Sequence, residues 1–90
     1  MKFEWDNQKA EENLRKHAVA FDEASTIFTD ELSLTGDDPE HSRGEHRFIT
    51  FGVSSSNRLL AVAHTERSQK IRIISARLVT KAERKMYEED

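Results

Sequence analysis

Lys70-Ile71-Arg72-Ile73-Ile74-Ser75-Ala76-Arg77 is the stretch that decides the fold. It is rich in β-branched residues and runs into residues 80–87, which have the composition of a short helix. Side chains alternate along a strand, so Ile71, Ile73 and Ser75 are expected on one face, and Lys70, Arg72, Ile74 and Ala76 on the other. A cation within an apolar strand is unusual, because charges are seldom buried without a partner. Arg72 therefore marks either an anion site or the solvated face of a two-layer sheet.

Working outward, residues 48–53 and 58–65 are two more strands, joined by the hairpin connection Ser54-Ser55-Ser56-Asn57. Residues 66–69 turn the chain into the closing strand, giving a meander of three or four antiparallel strands. On the far side, Thr80-Lys81-Ala82-Glu83 is a capping box, the signature of a helix start. Towards the N-terminus, Phe3-Glu4-Trp5 is a short extended start. Asp6 caps a helix over residues 7–17, whose narrow apolar stripe is Ala10, Leu14 and His17, with Asn13 beside it. Ala18 stands where a left-handed C-cap would favour glycine. Residues 21–28 form a second short helix capped by Asp22 or a neighbour, with Ala24, Ile27 and Phe28 on one face. Residues 31–35 are a candidate strand with Leu32 and Leu34 in phase. The turn residues Gly36-Asp37-Asp38-Pro39-Glu40 then open an acidic loop over residues 36–46, which carries His41, Ser42 and His46 in solvent. The order β-α-α-β-β-β-β-α is of the α+β class, with helices packed on one face of an antiparallel sheet. No linker or internal repeat divides residues 1–90, so they read as a single domain.

The net charge of −3 hides an asymmetry: residues 1–45 sum to −7 and residues 46–90 to +4. The basic half is suited to a polyanion, or else to its own acidic half. Overall acidity argues against strong non-specific duplex binding. No cysteine is present, so disulfides and thiolate metal sites are excluded. The four histidines lack metal-ligand spacing, and no glycine-rich phosphate loop or nucleophile elbow occurs, so neither metal nor cofactor is expected. The N-terminus does not read as a signal peptide. The longest apolar run is too short to span a bilayer, and a cytoplasmic protein without membrane contact is the expectation.

Chemistry concentrates around the closing strand. His64 lies in phase with Glu66, and Arg67 and Lys70 follow in the turn. Arg72 and Arg77 come near them across the hairpin. A group that takes a proton, set among cations around a phosphate-sized space, suits attack of an RNA 2′-hydroxyl on the adjacent phosphorus. His64 is then a base, or else a half-buried strand histidine satisfied by a neighbour. Tyr87 and Arg84 share one side of the last helix, where Lys81 and Lys85 add charge. Trp5 is a stacking platform for a base, or a core or partner-interface residue.

The whole chain resembles the BrnT family of type II toxins, ribonuclease partners of BrnA antitoxins. The matching pieces are Phe3-Glu4-Trp5-Asp6, Asn13 with Lys16-His17, Phe21 with Glu23-Ala24, Arg47-Phe48-Ile49, Gly52 and Arg58-Leu59-Leu60. They continue with His64-Thr65-Glu66-Arg67, Ile71 to Arg77, Glu83-Arg84 and Tyr87. Ala18 replaces the glycine expected after Lys16-His17. The resemblance implies a RelE-like fold, with two N-terminal helices and one C-terminal helix packed with a four-stranded, mainly antiparallel sheet and a short N-terminal strand. It implies metal-independent RNA cleavage that halts translation, and a complex with a BrnA-like antitoxin, heterotetrameric or larger. The antitoxin would bring operator DNA, so that the complex represses its own operon. Carried onto this sequence, the catalytic set is His64, Arg72, Arg77, Arg84 and Tyr87, with Glu66 as a further candidate and Arg67, Lys70 and Lys81 as RNA-binding cations. The competing reading is a non-catalytic module, or a drifted toxin, whose basic face docks the antitoxin.

Overall fold

The local signals build the expected elements. The computed structural model describes residues 1–42 and 44–89. Asp6 caps the first helix, α1 (Asn7–His17): its Oδ1 accepts from the Gln8 and Lys9 N–H groups at 2.8 and 3.1 Å. Helix α1 ends at Ala18, which adopts φ 57°, ψ 33° and donates its N–H to the Leu14 carbonyl. The left-handed cap is thus made without glycine, at a steric cost. The second helix is shorter than the pattern indicated. α2 spans Phe21–Ser25 and tightens into a 3-10 turn over Thr26–Thr29; its N-cap is Ala20, with no side-chain cap from Asp22.

Five strands form one sheet in the order β1-β5-β4-β3-β2: β1 (Phe3–Glu4), β2 (Leu34–Asp37), β3 (Arg47–Val53), β4 (Leu59–Arg67) and β5 (Lys70–Leu78). β2 to β5 are antiparallel neighbours, and β1 adds a parallel edge through Phe3 opposite Ile71 and Glu4 opposite Arg72. β2 begins later than expected. Asp30 accepts the Leu32 N–H through Oδ1 and the Ser33 N–H through its carbonyl, so Leu32 sits in a turn and is exposed. The strand runs instead through Gly36 and Asp37, and a second 3-10 turn, Pro39–His41, follows.

α1 and α2 cover one face. Val19, Phe21, Ala24 and Ile27 pack there on Leu60, Val62, Ile73 and Ala76, all buried, with Trp5 edge-on to Phe21 at 5.9 Å between centroids. The 3-10 turn lies so close to β3 that a Cβ on Gly52 would meet Ile27 atoms at 3.1 Å. Asn13 closes the edge of β5 beyond the short β1. It accepts from the Ala76 N–H at 3.0 Å and donates to the Ala76 carbonyl at 2.8 Å and the Val19 carbonyl at 2.9 Å.

The last helix, α3 (Lys81–Glu89), begins with the capping box: Glu83 N–H to Thr80 Oγ1 at 3.2 Å, and Thr80 N–H to Glu83 Oε1 at 2.9 Å. It stands apart from α1 and α2. Its first turn is tied to Arg77 on the opposite face and its last to Asp30. No described helix is long and apolar enough to cross a membrane.

Candidate functional site

An irregularity in β5 decides which side chains share the open face. Ala63 pairs with Ser75 but His64 pairs with Ile73, so Ile74 is one residue too many and bulges. A bulge resets the alternation. Ala76 joins Ile73 in the core, while Ser75 and Arg77 turn to the face that already carries Arg72. The simple alternation expected along this strand fails after Ile74 for that reason. Three rows result on the open face: Arg47, Thr65 and Arg72; Ile49, Ala63 and Ser75; Phe51, Ala61 and Arg77.

The middle of this face is a concavity of about 190 Å³, lined among others by Arg47, Ser75, Arg77, Asp38 and His41, over a floor of Ile49, Ala61 and Ala63. Arg77 donates to both oxygens of Glu83, at 2.7 and 3.0 Å. This fork holds Glu83 down at about 2 and pushes Arg77 further up. Arg72 donates to Glu4 Oε2 at 3.0 Å on β1. It lies opposite Thr65, and Arg77 lies opposite Ala61, four residues away and ~13 Å along the strand. Arg72, bound to Glu4, is not among the residues lining the concavity, whereas Arg77, bound to Glu83, is. Arg84 is half exposed, 3.7 Å from Glu88 on its own helix. Tyr87 donates to Asp30 Oδ2 at 2.6 Å; burial first, and then the Asp30 carboxylate, raise its pKa to about 12. Arg67 is committed to Glu45, with both Glu45 oxygens 2.9 Å from its Nη2. Glu66, Lys70 and Lys81 are exposed.

His64 does not join this set. It points to the helix-covered face and is 6% exposed. Phe48 stacks on its ring at 5.6 Å, and Phe28 meets it edge-on at 4.9 Å. Its Nε2 lies 2.7 Å from Thr50 Oγ1, which in turn is 2.7 Å from Thr35 Oγ1. Burial pushes its pKa down to about 4, so it stays neutral at pH 7. His64 is thus not placed on the open face to act as the expected base; it is a core histidine whose Nε2 is met by Thr50, while its buried Nδ1 has no hydrogen-bond partner among the described residues. Trp5 likewise packs against the core.

Sequence reasoning missed Asp38, His41 and Arg47 as lining of the concavity. Arg47 was legible in principle, because it is in phase with Ile49 and so shares its face. The acidic loop is solvent-exposed as expected over Pro39–His41, but Asp38 at its base is buried and, with His41, lines the edge of the concavity. No group of three or more potential metal ligands occurs among the described residues.

Residues 5–83 match the family model described as the ribonuclease toxin BrnT of type II toxin–antitoxin systems. Among solved structures, the chain is similar to the crystal structure of the Brucella abortus ribonuclease toxin BrnT. The TM-score is 0.65 at 20% identity, over 90% of this chain and 99% of that one, a likeness of fold. No curated protein matches by sequence. With most of its length matched to that model, and with the α+β architecture it shares with the Brucella protein, the chain belongs to the BrnT family of ribonuclease toxins of type II toxin–antitoxin systems.

Proposed function

We propose that residues 1–90 are a single toxin domain, an endoribonuclease that cuts RNA without a metal, acts in the cytoplasm and so inhibits translation. The observation that carries this reading is the trough on the open face, where Arg47 and Arg77 flank a phosphate-sized concavity and Arg72 extends the positive edge. Guanidinium groups supply there the charge that a dianionic phosphorane demands. Arg84, Lys81, Lys70 and Arg67 lie outside the concavity and guide the strand. Tyr87 holds α3 in place, and Glu66, a further candidate base from the sequence, is an exposed carboxylate at the β4–β5 hairpin outside the concavity. A cognate antitoxin of the BrnA kind neutralises the toxin in a complex of two or more copies of each chain. That antitoxin carries the DNA-binding part, so the pair represses its own operon.

One observation favours a second reading. Arg72, Arg77 and Arg84 all have carboxylate neighbours within the chain, so much of the positive charge is already answered. A non-catalytic toxin-like module, acting only as antitoxin partner and co-repressor, would have no need to release them. Incubating the purified chain with RNA in EDTA separates the two. Cleavage that persists in the chelator is the outcome for the nuclease; intact RNA alongside intact antitoxin binding is the outcome for the module.

A further inference from the structure

Above the trough, the 3-10 turn Pro39–His41 presents one imidazole whose orientation is fixed from behind. His41 Nδ1 lies 3.0 Å from both carboxylate oxygens of Asp38. Asp38 is 9% exposed, and among the described residues His41 is its carboxylate's sole partner. The backbone around the pair is pinned to the sheet. Asp38 N–H donates to the Arg47 carbonyl at 2.9 Å, the Ser42 hydroxyl donates to the Asp38 carbonyl at 2.8 Å, and Arg47 N–H donates to Ser42 Oγ at 3.0 Å. The orienting carboxylate is thus buried, while the ring it orients is 62% exposed and lines the same concavity as Arg47 and Arg77.

A loop that merely joins two strands has no use for this arrangement, since an exposed ring contributes little to packing. A carboxylate on Nδ1 holds that nitrogen protonated and leaves the lone pair on Nε2, the form in which an imidazole accepts a proton. We propose that His41 is the general base of the ribonuclease and that Asp38 is its positioning residue. The proposal rests on the nuclease reading above and assigns the proton transfer that His64, buried on the other face, is not placed to perform.

Arg47 and Arg77 hold the non-bridging oxygens of the scissile phosphate. His41 Nε2 takes the proton of the 2′-hydroxyl, and the freed O2′ electron pair forms the O2′–P bond. The P–O5′ bond breaks, its electron pair leaves on O5′, and that oxygen takes a proton from water. The products are a 2′,3′-cyclic phosphate and a 5′-hydroxyl end, and the imidazolium returns its proton to solvent. Asp38 keeps the tautomer and stabilises the imidazolium without itself accepting the proton.

The test is single-turnover cleavage of a short RNA in EDTA by the full chain, with RNA affinity measured in parallel. His41→Ala and His41→Gln are expected to slow cleavage by about 10²–10⁴-fold while affinity stays within about twofold. Added imidazole restores part of the rate to His41→Ala. It does not restore Asp38→Asn, in which the ring is present but misoriented. Cleavage at the parental rate by both His41 variants, or a loss explained wholly by weaker RNA binding, overturns the assignment and leaves the nuclease reading standing. Failure of imidazole to restore any rate to a folded His41→Ala chain also overturns it. Failure of the parent chain itself to cleave overturns both.

Discussion

The two faces of the sheet carry the same kinds of residue under opposite rules. On the face covered by α1 and α2, His64 sits between Phe48 and Phe28, neutral, its Nε2 answered by Thr50. On the open face, His41 is exposed, its Nδ1 3.0 Å from a buried carboxylate. The strand that closes the sheet contributes Ile73 and Ala76 to the first face and Arg72 and Arg77 to the second. The difference teaches that one layer supplies cohesion and the other supplies charge. On the covered side polar groups lie among apolar neighbours, His64 with only its Nε2 hydrogen-bonded, whereas on the open side they are held at the rim of a trough, where an anion can compete for them.

That division makes distinct claims about substitutions. The largest effect is expected at Arg77. Arg77→Ala slows RNA cleavage by about a thousandfold, ~4 kcal/mol of transition-state stabilisation, while its thermal unfolding shifts by no more than a partly exposed ion pair is worth, about 1 kcal/mol. Arg77→Lys does not fully rescue the rate, because an ammonium lacks the fork. Rates from active-site-titrated chains check both. Leu60→Ala sharpens the contrast from the other side. Leu60 is fully buried in the core, and its truncation costs about 3 kcal/mol in denaturant unfolding, with cleavage per folded molecule unchanged. A matching loss in both measurements would break the division of labour.

The covered histidine predicts a pH dependence of stability. Its folded pKa, about 4, lies below the ordinary 6.5, so between those values the unfolded chain binds a proton that the folded chain refuses. Stability is therefore full above about pH 6.5 and falls as the pH drops towards 4, by on the order of 3 kcal/mol. Denaturant midpoints between pH 7 and 4.5 are expected to show this slope in the parent and to lose it in His64→Gln. At still lower pH the depressed pKa of Glu83 takes over, and the Arg77 fork is lost as the pH falls from about 4.5 towards 2. The smallest effect lies away from both faces. Ala18 holds a left-handed conformation that glycine adopts freely, so Ala18→Gly should raise stability by about 1 kcal/mol, read as a higher melting temperature with cleavage unaltered.

Much of the fold was legible because its signals are local. The Asp6 cap, the Thr80–Glu83 capping box and the Ser54–Asn57 hairpin each depend on residues within a few positions of one another, and each forms. The Leu32–Leu34 phase misled because Asp30 captured the chain into a turn, a competition between side chain and strand that alternation ignores. The site was less legible. Of the arginines expected together, only Arg77 lines the concavity; His64 faces the covered side, and His41 is exposed as its charged loop indicates, its place at the concavity depending on a pairing that the local sequence does not encode.

The sequence by itself determined the order of the elements, their caps and the residues that mark the family, because each of these is written within a few positions of the chain. Only the tertiary structure decided which face each functional group meets. One bulged residue at Ile74 inverts every side chain that follows it, and a bulge is set by pairing with β4 and by the edge that Asn13 closes, both distant in sequence. The turn carrying Asp38 and His41 reaches the trough for the same reason: its backbone is pinned to Arg47, and the register of β3 puts Arg47 on the open face.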